Sequence, residues 1–427
     1  MVIHVVQSGE TVRDIARQYG VSSQRIISDN AIADETRLVV GQALVILQPE
    51  TVHIVRAGET LYSIAQQYGT TVMSLWQNNP WLAQSGGLRP GDGLVVQFQG
   101  QKRRTLTLGG YAYPYVNLDI LKRALPYLTT LTLFGYGFNE DGGLIGIDDQ
   151  SLIDLAYQYQ TAPVMLISSI TEDGSFSSQR ASLLFQNTEL QKQVSDAILS
   201  VMLRKGYMGL TVDFEFIEAD DAAGYLAFIE QLHAKLSPYG LFVTTDLAPK
   251  TSADQPGLLY EAHDYAAIGA ASDQVLLMTY EWGYTYGPPM AVAPIDKVRQ
   301  VVEYAVTEIP PEKILMGLPN YGYDWTLPYE QGKSRAISIG NQYAVELAAR
   351  HGAEIFFDEQ AQTPFFNYTG RDGAEHVVWF EDARSILAKL DLMDAFALRG
   401  GEYWNLMRPF EQNWALVNAL YNIRKIV

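Results

Sequence analysis

Beyond about residue 100, short runs of β-branched and aromatic residues alternate with longer stretches in which apolar residues recur at helical spacing. Helices are predicted at Ser151–Tyr159, Ala222–Leu236, Asp296–Glu308 and Phe410–Lys425. The shorter runs predict eight strands. These strands are Thr105–Tyr111, Leu131–Phe138, Pro163–Ile170, Gly209–Phe216, Leu241–Asp246, Gln274–Tyr280, Ile314–Leu318 and Gly400–Trp404.

The alternation of strands and helices predicts the α/β class, and two architectures fit it. A doubly wound sheet alternates in the same way, but a count of eight strands favours a (β/α)8 TIM barrel. Between the seventh and eighth strands, Ala353–Glu381 is rich in β-forming residues and predicts a small α+β insertion at about 326–380. We therefore expect one barrel domain over residues 100–427.

The predicted fourth strand carries two acids on one face. Because side chains alternate along a strand, Thr211, Asp213 and Glu215 point one way and the apolar residues between them point the other. A half-exposed strand with its acids in water would show the same alternation. In a barrel, the C-terminal ends of the strands build the active site, and these acids stand at such an end.

Other predicted strand ends carry aromatic and polar residues that suit a sugar. Aromatic rings offer apolar faces to pyranose rings, and tyrosines add a hydroxyl that can hydrogen-bond. The convergence of acids and aromatic residues favours a glycan-cleaving site over aromatic residues that merely cap the barrel. The expected substrate-binding residues are Tyr111, Asp246, Met278, Glu281, Asn320, Tyr321 and Trp404, with Tyr280 among them at the sixth strand.

The N-terminal segment contains an internal repeat. His4–Gly20 returns 49 residues later as His53–Gly69, with ten of 17 positions identical. Each unit predicts a short strand, two helices and a closing strand, in the order βααβ. Thr11 and Thr60 are the expected N-caps of the first helix in each unit.

Both repeats resemble LysM modules, through Gly-Glu-Thr followed by Ile-Ala and Tyr-Gly. We expect one module at residues 1–49 and a second at residues 50–99. The resemblance implies binding of N-acetylglucosamine-containing glycans, peptidoglycan or chitin, in a shallow groove between two loops. The groove would involve Gly9, Glu10, Thr11 and Ala31–Ala33, and in the second repeat Gly58, Glu59, Thr60 and Pro80–Leu82.

Composition argues against several other functions. A formal charge of −18 disfavours nucleic acid as a partner, because binding to phosphates needs clustered Lys and Arg. The chain has no cysteine and its six histidines lack metal-ligand spacing, so neither a metal nor a cofactor is expected. No apolar run is long enough to cross a membrane, and the start of the chain lacks an export signal. We expect a soluble monomer.

The barrel region, about residues 104–427, resembles glycoside hydrolase family 18. The family's fourth strand carries D-G-x-D-x-D-x-E, of which Gly209, Asp213 and Glu215 are present. Met208 and Thr211 replace the first two acids. In the family the middle acid hydrogen-bonds the last Asp and takes up its proton, so Thr211 leaves the charge state of that Asp open. Other matching segments are Leu277–Glu281, in which Glu281 stands in place of the family's Asp, Val378–Asp382 and Trp404.

The spacing of the two acids also constrains the mechanism. Acids two residues apart on one strand lie on the same side of the substrate and cannot flank the anomeric carbon, so another nucleophile is needed. In the family, the 2-acetamido carbonyl of the substrate supplies it and forms an oxazolinium-type intermediate. By resemblance, Glu215 is the general acid and base, Asp213 orients the acetamido group, and Tyr280 hydrogen-bonds its oxygen. Trp404 would lie under the sugar ring at the cleavage site, and Glu281 would either contact the sugar or support Tyr280.

Two LysM-like repeats before a barrel that carries Met278–Pro289 are most similar to the spore-germination enzymes that lyse cortical peptidoglycan fragments. This resemblance implies an N-acetylglucosaminidase that degrades spore cortex glycan. Such an enzyme would be made in the mother cell without a signal peptide and deposited around the spore. A chitinase and a non-catalytic glycan-binding barrel are the alternatives.

Overall fold

The computed structural model describes residues 1–83, 87–171 and 174–427. Eight parallel strands form a closed barrel, which confirms the predicted fold. The first strand pairs with the second, with Tyr111 opposite Thr132, and also with the eighth, where Gly400 lies opposite Thr107. The barrel strands are Arg104–Ala112, Thr130–Phe138, Ala162–Ile167, Gly209–Val212, Phe242–Leu247, Gln274–Leu277, Ile314–Pro319 and Gly400–Trp404.

Helices cover the outside of the barrel and bury an apolar face against it, apart from Asn341–His351, which packs on the insertion. In Ala222–Leu236, for example, Tyr225, Phe228 and Leu232 are buried at helical spacing. The helices of the barrel region are Leu118–Ala124, Gln150–Gln158, Ser178–Phe185, Thr188–Lys205, Ala222–Leu236, Tyr265–Ala271, Ile295–Glu308, Asn341–His351, Ala383–Ala395 and Glu411–Leu420. Short 3-10 turns lie at Leu125–Tyr127, Ala219–Asp221, Ser237–Tyr239 and Pro311–Lys313.

The barrel interior is a packed layer rather than a pore. Tyr111, Phe134, Leu166, Leu276 and Leu315 are buried together there. Two of these, Tyr111 and Phe134, also line the cleft above. The packed layer therefore forms the floor on which a ligand at the C-terminal end of the barrel would rest.

The fourth and sixth strands, which carry the predicted site, end earlier than the apolar pattern of the sequence predicts. The fourth strand stops at Val212 rather than Phe216, and the sixth stops at Leu277 rather than Tyr280. Beyond these points the backbone leaves the sheet, since Phe216 has a φ of 54° and Glu281 a φ of 66°, both in the left-handed region. The predicted catalytic side chains are therefore held by loops that begin at strand ends.

The predicted terminal helix is wrong in its last part. The helix ends at Leu420, and Tyr421–Ile423 forms a short strand parallel to the first barrel strand, with Tyr421 opposite Arg104. Tyr421 is fully buried, so packing against the barrel outweighs helix propensity at this end of the chain. Another short strand, Leu144–Ile145, pairs antiparallel with the second barrel strand.

The insertion contains a five-stranded antiparallel sheet covered by the helix Asn341–His351. Its first strand begins at Gly322, before the expected start of the insertion, and pairs with Ile339. Ala348 of the helix packs against Phe366 and Val378 of the sheet. In sheet order the strands are Ile337–Ile339, Gly322–Leu327, Glu375–Trp379, Thr363–Thr369 and Phe356–Asp358.

Both N-terminal repeats have the predicted βααβ order. The hydroxyl of Thr11 accepts the backbone N–H of Asp14 at 3.2 Å, and that of Thr60 accepts the N–H of Ser63 at 3.1 Å, which confirms both N-caps. The elements are Val2–Val5, Val12–Tyr19, Ser23–Asp29 and Ala43–Ile46, then Pro49–Ile54, Leu61–Tyr68, Val72–Asn78, a 3-10 turn at Pro80–Ala83, and Gly93–Phe98.

The repeats are docked onto the barrel. Val45 and Leu47 of the first repeat belong to the same apolar core as the barrel strands and helices. In the second repeat, the side-chain amide of Gln77 donates to the carbonyl oxygen of Pro126 at 2.8 Å, and the backbone carbonyl oxygen of Gln77 accepts the hydroxyl of Tyr127 at 2.6 Å. The orientation of both repeats relative to the barrel is therefore set by buried contacts.

Candidate active site

An open cleft of about 300 Å³ lies at the C-terminal ends of the barrel strands. The structure brings together most of the residues that the strand ends predict. Those that line the cleft are Tyr111, Asp213, Glu215, Asp246, Met278, Tyr280, Glu281 and Trp404.

The two predicted acids lie on the segment that follows the fourth strand. The backbone N–H of Asp213 donates to the carbonyl oxygen of Ile167 at 3.0 Å, so the strand-like alternation continues past the last ladder pair. Phe214 points the other way and packs against Phe185, with ring centroids 5.2 Å apart. Asp213 and Glu215 therefore share the cleft side, as the period of two predicts.

A buried histidine supports this segment from behind. The Nδ1 atom of His263 accepts the backbone N–H of Ala248 at 2.9 Å, so its Nε2 carries the proton that it donates to the carbonyl oxygen of Phe214 at 3.3 Å. Burial lowers the pKa of His263 to about 4, which keeps the ring neutral near pH 7. This imidazole thus ties the fifth strand to the loop that carries the acids.

Asp246 brings a third carboxyl to the acid pair. Thr211 lies opposite Thr244 in the parallel register, so Asp213 and Asp246, two residues further on, stand at the same level of adjacent strands. The hydroxyl of Tyr111 donates to Oδ2 of Asp246 at 2.7 Å. Among the described residues, the Oδ1 atoms of Asp213 and Asp246 have no hydrogen-bond partner. After burial, the charge of Asp213 is a further cause of the raised pKa of Asp246, so the two carboxyls interact electrostatically.

The electrostatics of the site favour protonated carboxyls. Burial raises the pKa of Asp213 and of Asp246 well above the ordinary range, and the charge of Glu215 raises that of Asp213 further. The pKa of Glu215 is raised by burial and then by the charge of Glu281. A carboxyl that keeps its proton near neutral pH can act as a general acid.

The sequence pattern does not single out Glu402, which lies under the cleft two residues before Trp404. Its Oε1 accepts the hydroxyl of Thr132 at 2.7 Å, and burial raises its pKa to about 7. Gly109 leaves room for it, since a Cβ there would lie 2.8 Å from the carboxyl carbon. Side chains two residues apart on a strand point to the same side, so counting back two residues from Trp404 along the eighth strand would have identified Glu402.

Four aromatic residues of the cleft were also missed. Tyr113 and Phe134 continue the period-two pattern of the first and second strands, so that pattern could have identified them. Phe176 and Tyr260 lie in loops away from any strand end, and their sequence neighbourhood contains no signal for the cleft.

Trp404 provides an aromatic platform in the cleft. Its ring centroid lies 5.4 Å from that of Tyr111 and 5.5 Å from that of Phe134, both nearly edge-on. These contacts fix the indole, which is half-buried, while it lines the open cleft. A fixed ring face of this kind suits stacking on a pyranose.

Glu281 is held by two tyrosines. The hydroxyl of Tyr321 donates to Oε1 of Glu281, and that of Tyr323 lies 3.1 and 3.2 Å from its two carboxylate oxygens. In the described part of the chain, no hydrogen bond joins Glu281 to Tyr280. The expected support of Tyr280 by Glu281 is therefore not backed by a hydrogen bond. Glu281 lines the cleft, which fits the other expected role, contact with the sugar.

Asn320 and Tyr321 do not line the cleft, in contrast to expectation. The side-chain amide of Asn320 donates to the carbonyl oxygens of Asn405 and Arg408, each at 2.9 Å. Asn320 therefore braces the loop after the eighth strand. Tyr321 contacts the cleft indirectly, through its hydrogen bond to Glu281.

The residues predicted for the LysM grooves have structural contacts of their own. The Oε2 atom of Glu10 accepts the backbone N–H of Gln7 at 2.7 Å and lies 3.0 Å from Nε2 of His4. Glu59 repeats this arrangement in the second module, where its Oε2 lies 2.7 Å from the ring of His53. These acids close the loop before the first helix, and their role toward a ligand stays a prediction.

Two further observations concern the described residues as a whole. They contain no group of three or more His, Cys, Asp or Glu placed to hold a metal ion. No helix among them has the length and apolar character needed to cross a membrane.

Acids of raised pKa beside a fixed aromatic ring, at the C-terminal end of a (β/α)8 barrel, suit the hydrolysis of a glycoside. The family model of glycosyl hydrolases family 18 matches residues 116–408, and the LysM domain model matches residues 4–47 and 53–97. The chain belongs to glycosyl hydrolases family 18.

Known relatives match the whole chain, including both repeats. The chain is 38% identical over 431 residues to a cortical fragment-lytic enzyme of Bacillus subtilis (strain 168), covering 100% of this chain and 99% of the relative. It is 37% identical over 430 residues to a cortical fragment-lytic enzyme of Bacillus cereus, covering 99% of each. The crystal structure of the Bacillus megaterium QM B1551 spore cortex-lytic enzyme SleL matches with a TM-score of 0.85 at 36% identity, covering 100% of this chain and 99% of that one.

Proposed function

We propose that this glycoside hydrolase is an N-acetylglucosaminidase that degrades spore cortex peptidoglycan fragments during germination, with retention of anomeric configuration. Relatives of matching length and domain order are named for lysis of spore cortex or its fragments. The observation that carries the mechanism is that Asp213 and Glu215 lie on the same side of the cleft.

Two acids on one side of a sugar cannot act as the usual opposed acid and nucleophile. The 2-acetamido carbonyl oxygen of the substrate therefore attacks the anomeric carbon, while Glu215 gives its proton to the leaving glycosidic oxygen. Glu215 then takes a proton from water as that water attacks the anomeric carbon and reopens the ring of the intermediate. Two inversions at one carbon amount to retention.

The other cleft residues act on the acetamido group and the sugar ring. Asp213 accepts the acetamido N–H and stabilises the positive charge that develops on it, and Tyr280 donates its hydroxyl to the acetamido oxygen before attack. Trp404 stacks under the sugar at the cleavage site. These roles follow the family pattern at the positions where this chain matches it, and they agree with the positions of these side chains in the cleft.

Asp246 takes the place of the acid that Thr211 removes. It stands level with Asp213 on the next strand, and an oxygen of each carboxyl is without a partner in the described residues. In the empty enzyme the two carboxyls share one proton, which leaves Asp213 neutral. When Asp213 turns to the substrate, this proton moves to Asp246. The aspartate then carries its charge at the moment when positive charge develops beside it.

The remaining expectations stand as parts of this proposal. The enzyme would act as a monomer in the cortex region of the spore after synthesis in the mother cell. Residues 1–49 and 50–99 would be the two glycan-binding modules, and residues 100–427 the catalytic barrel. The family-model boundaries and the positions of the elements agree with this division.

The test uses Asp213→Asn and the stereochemistry of the product. We expect a large fall in kcat with little change in KM, because this carboxylate acts on charge that appears only in the transition state. NMR in the first seconds of reaction should show the retained anomer, and a stable thiazoline analogue of the intermediate should inhibit. An inverted product, or equal cleavage of a substrate whose acetamido group is replaced by hydroxyl, would overturn the mechanism.

Substrate choice is tested separately. Reducing ends released from spore cortex fragments should exceed those released from chitin oligomers at equal enzyme concentration. Preference for chitin oligomers would identify a chitinase, and the cortex assignment would then fall while the mechanism stands.

A further inference from the structure

Glu402 is a buried carboxyl under the catalytic cleft, and the proposed reaction assigns it no role. Its side chain is 2% exposed, and its Oε1 accepts the hydroxyl of Thr132 at 2.7 Å. Burial raises its pKa; the bond from Thr132 opposes this rise, and no cation among the described residues does. A buried carboxylate without a cationic partner is costly, which makes such a group a candidate for function.

The sheet register leaves space for this carboxyl. Glu402 lies opposite Gly109 on the first strand and Gly317 on the seventh, so neither neighbour at its level carries a side chain. A Cβ at position 109 would lie 2.8 Å from the carboxyl carbon of Glu402, and one at position 317 would lie 2.7 Å from the ring of Tyr280. The two glycines therefore provide the room that Glu402 and Tyr280 occupy.

Neighbouring side chains connect Glu402 to Asp246. Thr132, which donates to Glu402, lies opposite Tyr111 in the register of the first two strands. The hydroxyl of Tyr111 donates to Oδ2 of Asp246 at 2.7 Å. After burial and the charge of Asp213, the charge of Glu402 is the next cause of the raised pKa of Asp246. The carboxyls of Glu402 and Asp246 therefore interact across the lumen.

The influence of Glu402 on the acid pair is unequal. Burial and the charge of Glu215 raise the pKa of Asp213, and Glu402 is not among the causes. It does raise the pKa of Asp246. A negative charge on Glu402 therefore favours a proton on Asp246 over a proton on Asp213.

We propose that Glu402 is a positioning residue that holds the shared proton on Asp246, so that Asp213 meets the substrate with its charge. The inference rests on the proposed function, in which this proton leaves Asp213 and binds Asp246; no proton enters or leaves the site in that step. The fourth strand has Met208 and Thr211 where the family has acids, and the fifth and eighth strands supply two buried acids instead.

This role depends on the charge of Glu402. Burial raises the pKa of Glu402 to about 7, so its charge is present above that pH and is lost as the pH falls through it. The other titratable groups that it influences are Asp246, Tyr111 and Tyr280. Burial raises the pKa of both tyrosines well above the ordinary range, so both stay neutral in this window. Turnover should therefore have a component that rises through about pH 7.

The test compares kcat of the wild type and of Glu402→Gln on a soluble tetramer of N-acetylglucosamine between about pH 5.5 and 8.5. Glutamine has nearly the shape of a protonated glutamate and never ionises. The ratio of wild-type to variant kcat should rise from near one at the acid end to on the order of tenfold at the alkaline end, the scale of coupling between interacting residues. KM should stay within about twofold, because the charge acts in the transition state.

The ratio separates this role from two others. It cancels the titration of Glu215, whose pKa is raised by burial and by Glu281 rather than by Glu402. A residue that merely supports the fold would lower kcat equally at every pH. A ratio independent of pH would therefore overturn the proposal.

Thr132→Val provides a matched variant that leaves Glu402 in place. Loss of its hydrogen bond should raise the pKa of Glu402 further, because that bond opposes the effect of burial. The ratio of kcat for Thr132→Val to that for the double variant with Glu402→Gln should then rise at higher pH than in the wild-type pair. A rise at the same pH would contradict the electrostatic role.

Carboxyl NMR of the full chain, labelled with carbon-13 at the glutamate carboxyls, gives a readout that needs no activity. The signal that is missing in Glu402→Gln should titrate near pH 7 in the wild type and at higher pH in Thr132→Val. A signal that does not titrate between about pH 5.5 and 8.5 would overturn the proposal. Such a titration in a protein that cleaves no N-acetylated glycan would remove the proposed function, whereas a pH-independent ratio in an active enzyme would remove this inference only.

Discussion

Replacement of Glu281 by glutamine should move the pH dependence of catalysis. The charge of Glu281 is, after burial, the second cause of the raised pKa of Glu215. Glutamine keeps the shape and one acceptor for the hydroxyls of Tyr321 and Tyr323, which hold the carboxylate in the wild type. The substitution therefore removes a charge with little loss of packing.

The size of the effect follows from Coulomb's law. At an effective dielectric constant near 20, like charges about 4 Å apart repel by about 4 kcal/mol, and the repulsion falls in inverse proportion to their distance. Glu281 is an exposed residue, so solvent screening reduces its repulsion of the Glu215 carboxylate below this value.

The direction follows from the role of Glu215. This carboxyl must be protonated to act as an acid, so kcat/KM is lost as the pH rises through its raised pKa. Without the charge at position 281 that pKa is lower, and the alkaline limb of the profile moves to lower pH.

The assay is release of reducing ends from a soluble N-acetylglucosamine oligomer between about pH 4 and 9, because a natural leaving group needs the proton. Tyr323→Phe is the control, since it removes one hydrogen bond to Glu281 and no charge. Its alkaline limb should stay close to that of the wild type. An unchanged limb in Glu281→Gln, or a shift to higher pH, would refute the electrostatic argument.

Three further predictions concern other parts of the molecule. Glu215→Gln should lower kcat by about 10²- to 10⁴-fold and leave binding of the oligomer intact, and turnover within threefold of the wild type would contradict its role as the acid. His263 should make the wild type lose about 2 to 3 kcal/mol of stability between pH 7 and 4.5, because its pKa falls from 6.5 to about 4 on folding and the unfolded chain binds the proton first. The free energy of unfolding of His263→Gln, measured in urea at both pH values, should lack this part of the loss. Equal losses in the two proteins would exclude His263 as the cause. Gly41→Ala should loosen the first repeat, because Gly41 has a φ of 84° and a Cβ there would overlap the carbonyl oxygen of Ile355. Limited proteolysis should then cut between repeat and barrel faster than in the wild type, and unchanged cutting would mean that this contact does not hold the repeat.

Local patterns in the sequence were sufficient for the elements and for part of the site. Alternation of strands and helices identified the barrel, because closing eight parallel strands requires a helix between each pair. A period of two placed Asp213 and Glu215 on one side, because successive side chains on an extended chain point in opposite directions. The repeats were found from self-similarity, and their N-caps from threonine before an amphipathic run.

Only the tertiary structure decided which distant residues meet. The register between the fourth and fifth strands places Asp246 beside Asp213, and the closure of the barrel places Glu402 beneath them. Strand ends also depended on it, since ladder pairing stops at Val212 although the apolar pattern continues to Phe216. Docking of the first repeat onto the insertion leaves a cavity of about 220 Å³ between them. Burial and pairing between segments that are far apart in the sequence set these features, and a local pattern contains no record of such contacts.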